Sequence, residues 1–292
     1  MYKSIAANKR NTIFIMMVFV ALIGGIGWAV SYFYGDTSIA YWVVGIAAVY
    51  ALIQYFAAAK IAVAITGARQ IEKRDNPRFY RIVENLAITT GMPTPKVYII
   101  DDPAPNAFAT GRNPQTAIVA ATSGLIDMMD DNELEAVMAH EMGHIQNYDI
   151  RLSMITFGLV SAIGLIADLV LRIVLFGESD NDNKSPIIMM IGFVFIVVAA
   201  PIVAILIQMA ASRQREYLAD ATSAMTTRNP DSMISALEKL KAQGRPMQKQ
   251  NTAVAQLFFA SPLKAGFVNK LFSTHPPLQE RINKLRESAG KF

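Results

Sequence analysis

The chain of 292 residues contains no cysteine. That absence excludes disulfides and any thiolate metal site, and it fits a reducing compartment. Histidine is scarce too, with three in the whole chain, so a histidine-based site has few ways to be built. Charged residues make up only 17% of the chain against a hydrophobic fraction of 53%, a balance that argues against an ordinary soluble protein. The basic residues flank apolar runs and no aromatics interleave with them, so there is no stacking platform for nucleic acid and no nucleic-acid partner is expected.

What is present in excess is long apolar sequence. Residues 13–34 and 39–59 carry no charged residue and are long enough to cross about 30 Å of hydrocarbon. Residues 187–211 form another run, interrupted by Pro201, which membrane helices tolerate. Residues 152–176 form a fourth, containing Asp168 and Arg172; the two are four apart near one end of the run and read as a structural ion pair. A second span follows the first so closely that a cleaved signal peptide explains the first run poorly. Net charge is +4, but its distribution says more. Lys3, Lys9 and Arg10 precede the first run, Lys60, Arg69, Lys73 and Arg74 follow the second, and Arg213 and Arg215 follow the last. The positive-inside rule then places both termini and the segments between the paired runs in the cytoplasm.

Those segments carry the chemistry. In His140-Glu141-Met142-Gly143-His144 the two histidines are four apart and share one face of a helix, so both can direct a ring nitrogen at one metal ion. Glu141 lies about 100° around that helix, within reach of a water on the metal without being a ligand. Two imidazoles, an open position and a carboxylate base are what a zinc hydrolase requires. Asp130 and Glu133 form a capping-box start for the helix. A third ligand must come from elsewhere. Asn147 and Ile150 stand where an extended motif would carry its glycine and third histidine, which excludes that solution. Glu216 and Asp220, four apart in a later helical stretch, offer a carboxylate ligand and a partner that fixes a histidine tautomer. His275, before two prolines, is the alternative third ligand. A metal transporter would need ligands within the apolar runs, where no histidine falls, and an inert scaffold would have no use for Glu141.

Three segments in order, His140-Glu-Met-Gly-His144, Arg215-Glu216-Tyr-Leu-Ala-Asp220-Ala and Ser273-Thr-His275-Pro-Pro, with the apolar runs around them, resemble the HtpX-type bacterial membrane zinc endopeptidases, relatives of the CAAX prenyl proteases. The resemblance covers essentially the whole length. It implies one Zn2+ per chain held by His140, His144 and Glu216, with Asp220 behind a ligand, Glu141 catalytic and His275 stabilising the oxyanion. It implies that Asn106, Ala107, Phe108 and Ala109 form an edge to which an extended substrate adds as a strand. It further implies a multi-pass protein of the bacterial inner (plasma) membrane, with its termini and active site cytoplasmic. Its partners would be the lipid bilayer, misfolded membrane-protein substrates and other membrane quality-control proteases, in a stress-response role.

The expected fold is mainly α with a small β-sheet: a zincin-like catalytic domain built from two sequence segments, plus four transmembrane helices. Residues 1–65 would form a two-span anchor, 66–151 the first part of the catalytic domain, 152–211 a membrane hairpin, and 212–292 the second part. Within the first part, residues 78–90 read as a helix, 96–100, 107–110 and 116–121 as strands, and 101–105 as a turn. About seven residues separate His144 from Leu152, roughly 10 Å if helical, which would keep the site near the membrane surface.

Overall fold

Apolar sequence without helix breakers forms two long helices, α1 (Tyr2–Tyr34) and α2 (Ser38–Thr66), joined by a turn at Gly35, whose φ is +67°. The computed structural model describes residues 2–176, 213–249, 254–260 and 276–288, with residues 2–4, 29–30, 33–34, 165–176 and 256 described by backbone alone. Among the described residues two stretches, Ile5–Trp28 and Ser38–Thr66, are long and apolar enough to cross a membrane. Four such helices were expected. The run at 152–176 continues a helix, α6 (Asp149–Phe176), that starts in polar sequence; the run at 187–211 lies outside the described residues, and the side chains of Asp168 and Arg172 lie outside the described part of α6.

The chain divides into two compact units. One comprises Arg10–Ala58 and Ile155–Met209. In it, Gly27 of α1 lets α2 approach closely: a Cβ there would lie 2.6 Å from Val43. Small residues at helix contacts are the usual device in a membrane, where burial in lipid supplies no drive for association. Trp28, Tyr32, Tyr41 and Trp42, around the α1–α2 turn, are all exposed, as in the aromatic belt of a membrane interface.

The other unit comprises Met1–Lys9, Ala59–Met154 and Ala210–Phe292. Its sheet has four strands: β1 (Arg69–Gln70), β2 (Lys96–Ile100), β3 (Ala107–Thr110) and β4 (Ile118–Thr122), in the order β1-β2-β4-β3. β2 and β4 are parallel, while β1 on β2 and β3 on β4 are antiparallel. The sequence signals placed β2 and β3 where they are. The fourth strand starts later than expected, because Asn113 caps a 3-10 turn at Pro114–Thr116. The two residues of β1 carry no sequence pattern of their own and pair only because β2 is beside them.

Helix α3 (Pro77–Thr90) is amphipathic, begins with Asn76 capping the amide of Phe79, and ends at Gly91 in the left-handed region. After the short α4 (Ser123–Met128) comes α5 (Asp131–Gln146), which carries the histidines. Helix α5 is buried almost all round, from Leu134 through Gly143, because α3, β3, α7 (Arg213–Thr227) and α8 (Pro230–Gln243) all pack on it. Helix α9 (Leu278–Ser288) packs on α7 and α8.

The start of α5 is fixed by the expected capping box. Asp130 accepts from the Glu133 amide and Glu133 from the Asp130 amide, each at 2.9 Å. The buried Glu133 carboxylate also accepts from Ser235 at 2.6 Å and from Lys239 at 2.5 Å, both on α8. Burial alone would raise its pKa; the bonds from Lys239, Ser235 and the Asp130 amide outweigh that and hold it below the ordinary 4.5. A depressed carboxylate stabilises the fold above its unfolded pKa and loses that contribution as pH falls through the folded value. Glu133→Gln should therefore cost about 1–3 kcal/mol at neutral pH. In denaturant unfolding of the metal-free proteins, the gap to wild type should close at pH values below the ordinary carboxylate range; an unchanged gap there would contradict this role.

Candidate metal centre

Four residues apart on α5, His140 and His144 present their Nε2 atoms to each other at 3.1 Å. Glu216, on α7, places Oε1 3.5 Å from His144 Nε2 and Oε2 3.7 Å from His140 Nε2. Gly143 lies at the contact with α7, where a Cβ would stand 3.4 Å from the Thr222 side chain and 3.5 Å from the Ala219 Cα, at ordinary van der Waals distance.

Each imidazole is held from behind. His140 Nδ1 lies 2.8 Å from Asp220 Oδ1, and His144 Nδ1 lies 2.9 Å from Asp149 Oδ2. With both Nδ1–H groups donating to carboxylates, both Nε2 atoms turn lone pairs towards the same point, where Glu216 adds a third donor. Three lone-pair donors converging on one point repel one another unless a cation sits between them. A small divalent ion with metal–ligand bonds of about 2.0–2.2 Å in tetrahedral geometry separates its ligand atoms by about 3.3–3.6 Å, and the observed separations bracket that range. The residues fit a metal. Glu141 is buried beside them, close enough for its charge to help raise the pKa of His144.

Two members of the site were not found from the sequence. Arg281, on α9, is fully buried and donates to both carboxylate oxygens of Asp220, from Nε at 2.9 Å and Nη2 at 2.6 Å. Its Nη1 lies 3.8 Å from Glu216 Oε2. A signal for it existed: Leu278, Arg281, Ile282 and Leu285 follow the i, i+3, i+4, i+7 spacing of a buried helix stripe, and an arginine in such a stripe needs a buried partner. Asp149 gave no comparable signal, because it reaches back to His144 only through the turn after α5. His275 lies outside the described residues.

Asn106 to Ala109 lie at the outer edge of the sheet, and all four are buried. The reason is a segment of the same chain, residues 258–260. Phe108 forms an antiparallel bridge with Phe258, and the Phe259 amide donates to the Ala107 carbonyl at 2.8 Å. The Asn106 side chain donates to the Ala260 carbonyl at 2.8 Å and accepts from its amide at 3.1 Å. The Phe259 ring stands edge-on to His140, 4.9 Å between centroids, and lies under the Arg281 guanidinium at 4.5 Å.

The two histidines differ in charge. Burial, and then the positive charge of Arg281, push His140 down to about 4, so its ring is neutral and ready to ligate. Burial opposes charge on His144 as well, but the bond to Asp149 and the Glu216 carboxylate outweigh it and raise the ring to about 9. In the metal-free protein a proton on His144 thus takes the place of the cation. Metal must displace that proton. Uptake at neutral pH should release about one proton per ion, and affinity should rise about tenfold per pH unit between about pH 5 and pH 8. Calorimetry in buffers of different ionisation enthalpy measures the release; metal uptake with no proton release would contradict the arrangement.

Comparison with known proteins agrees with the geometry and with the resemblance read from the sequence. Residues 73–289 match the model of peptidase family M48. The Protease HtpX homolog of Tropheryma whipplei (strain Twist) is 53% identical over 292 residues, covering all of both chains. That of Streptococcus gordonii (strain Challis) is 42% identical over 98% of this chain and 99% of its own. The crystal structure of S. mikatae Ste24p shares the fold at a TM-score of 0.51 and 18% identity, over 98% of this chain and 66% of that one. The chain belongs to peptidase family M48, as an HtpX-like, membrane-associated metallopeptidase.

Proposed function

We propose that the protein is a zinc endopeptidase that cleaves misfolded or damaged membrane proteins at the cytoplasmic face of the bacterial inner membrane. The observation that carries this reading is the convergence of His140, His144 and Glu216 with Glu141 alongside. Two imidazoles and a carboxylate at tetrahedral spacing suit Zn2+, which takes three protein ligands in a hydrolytic site and leaves one position open. When bound, the ion would acidify water and polarise the peptide carbonyl. Glu141 takes the proton of the attacking water and returns it to the leaving amine. Asp220 and Asp149 keep the imidazoles in the ligating tautomer, and Arg281 holds Asp220 ionised. His275, six residues before Arg281, is assigned to the oxyanion on the family resemblance. The membrane substrates rest on the apolar helices and on the HtpX relatives; the cytoplasmic orientation, the full four spans, quality-control partners and a stress-response role rest on the charge pattern and that same resemblance.

Glu141 is not a ligand, so Glu141→Gln should retain about one zinc per chain and lose cleavage of an unfolded protein. Equal cleavage by wild type and variant would remove Glu141 from the mechanism.

An extended substrate adding to β3 would use the Ala107 carbonyl as its acceptor. Phe259 already donates to that oxygen, so the reading requires residues 258–260 to leave the edge before substrate binds. The native chain has no cysteine, and Phe108 and Phe258 are directly paired across the edge, at a separation of the kind disulfides span. In the variant with Phe108→Cys and Phe258→Cys, oxidation should abolish cleavage without releasing zinc, and reduction should restore it. Full cleavage by the oxidised form would rule out strand addition at this edge.

A further inference from the structure

We propose that Asn8, in the first turns of α1, is a positioning residue for His144 and acts through Asp149. The inference rests on the metallopeptidase reading, and it starts from the turn that ends α5. Asn147 caps that helix, Tyr148 follows with φ at +60°, and Asp149 opens α6. A tyrosine in the left-handed region is strained, and such a residue persists only where its surroundings hold it. Here the reversal has a consequence for the metal site, because it returns the Asp149 carboxylate to His144.

Asn8 bridges the strained residue. Its Nδ2 donates to the Asn147 carbonyl at 2.8 Å on one side of Tyr148 and to Asp149 Oδ1 at 2.6 Å on the other. Both partners are acceptors, so both amide hydrogens are used and the amide orientation is determined; the flipped amide would set oxygen against oxygen. The other carboxylate oxygen, Oδ2, faces His144 Nδ1. Asn8, Asn147 and Asp149 are all buried, so water does not substitute for the amide. Next in sequence, Lys9 places its ammonium 4.5 Å from the centre of the Tyr148 ring, and Arg151 lies 4.8 Å from it. Arg215, beside Glu216, adds a weaker contact to Asp149 Oδ1 at 3.6 Å.

Asparagine inside a helix is unfavourable relative to alanine, and a buried one requires partners. Two of the partners it has here flank the strained turn. The helix that begins at Tyr2 therefore supplies part of the shell that orients a metal ligand. Fixing one carboxylate oxygen with Asn8 leaves the other aimed at Nδ1, which sets the tautomer and the direction of Nε2.

The test uses the full-length purified protein, with zinc affinity measured by chelator competition at one pH for wild type, Asn8→Ala, Asp149→Asn and the double variant. Loss of an outer-shell partner costs about 10–100-fold in metal affinity. Asn8→Ala should lose about tenfold, and the double variant should bind no more weakly than Asp149→Asn alone. Losses that multiply in the double variant, or wild-type affinity in Asn8→Ala, would overturn the proposal. Thermal unfolding with and without zinc provides a second readout that survives partial destabilisation. A purely structural Asn8 lowers both midpoints equally; a positioning Asn8 shrinks the rise that zinc produces. Equal lowering would overturn the proposal. A wild type that binds no zinc would instead sink the metallopeptidase reading on which it rests.

Discussion

Two imidazole nitrogens facing each other at 3.1 Å are the constraint on which the rest of the catalytic unit depends. Each Nδ1 gives its hydrogen to a carboxylate, Asp220 or Asp149, and those bonds oblige both Nε2 atoms to present lone pairs to one point. Glu216 adds a carboxylate to the same point. The charges behind the ligands follow from this. Arg281 compensates the buried Asp220 and helps hold its pKa below the ordinary value, and Arg215 lies 3.6 Å from Asp149 Oδ1. The Glu133 network ties α5 to α8, and the ligand atoms stand within a few tenths of an ångström of what a tetrahedral ion needs.

The local features of the site were legible in the sequence because they are local. The histidine spacing, the capping box at Asp130 and Glu133, and the four-residue step from Glu216 to Asp220 are helix-periodic signals. They require only that α5 and α7 be helical, and both are. Strands β2 and β3 were legible for the same reason, each being a short apolar segment bounded by proline, glycine or aspartate.

What the sequence did not reveal depends on contacts between distant segments. Arg281 reaches Asp220 across 61 positions and Asn8 reaches Asp149 across 141, and no periodicity links such pairs. Arg281 did break the apolar stripe of α9, a cue that a buried-charge argument can use. Asn8 gave no cue, since a polar residue ahead of an apolar run reads as a flank of the membrane segment. The occupied edge of β3 was equally hidden: alanine and phenylalanine at 107–109 suit an edge strand, but nothing in them predicts that residues 258–260 cover it. The expectation of four membrane helices came from the length and composition of the apolar runs, the flanking charges and the family resemblance, and among the described residues two helices meet it.

The central claim is that the ion is held by His140, His144 and Glu216. Zinc K-edge X-ray absorption of the zinc-loaded protein tests it most directly, comparing wild type with Glu216→Ala. The account predicts two imidazoles in wild type with nitrogen and oxygen scatterers at about 2.0–2.2 Å, and in Glu216→Ala the same two imidazoles with a changed oxygen shell and weaker zinc retention. Three imidazoles in wild type, with a ligand shell unaltered by Glu216→Ala, would hand the third position to His275 and contradict the site described.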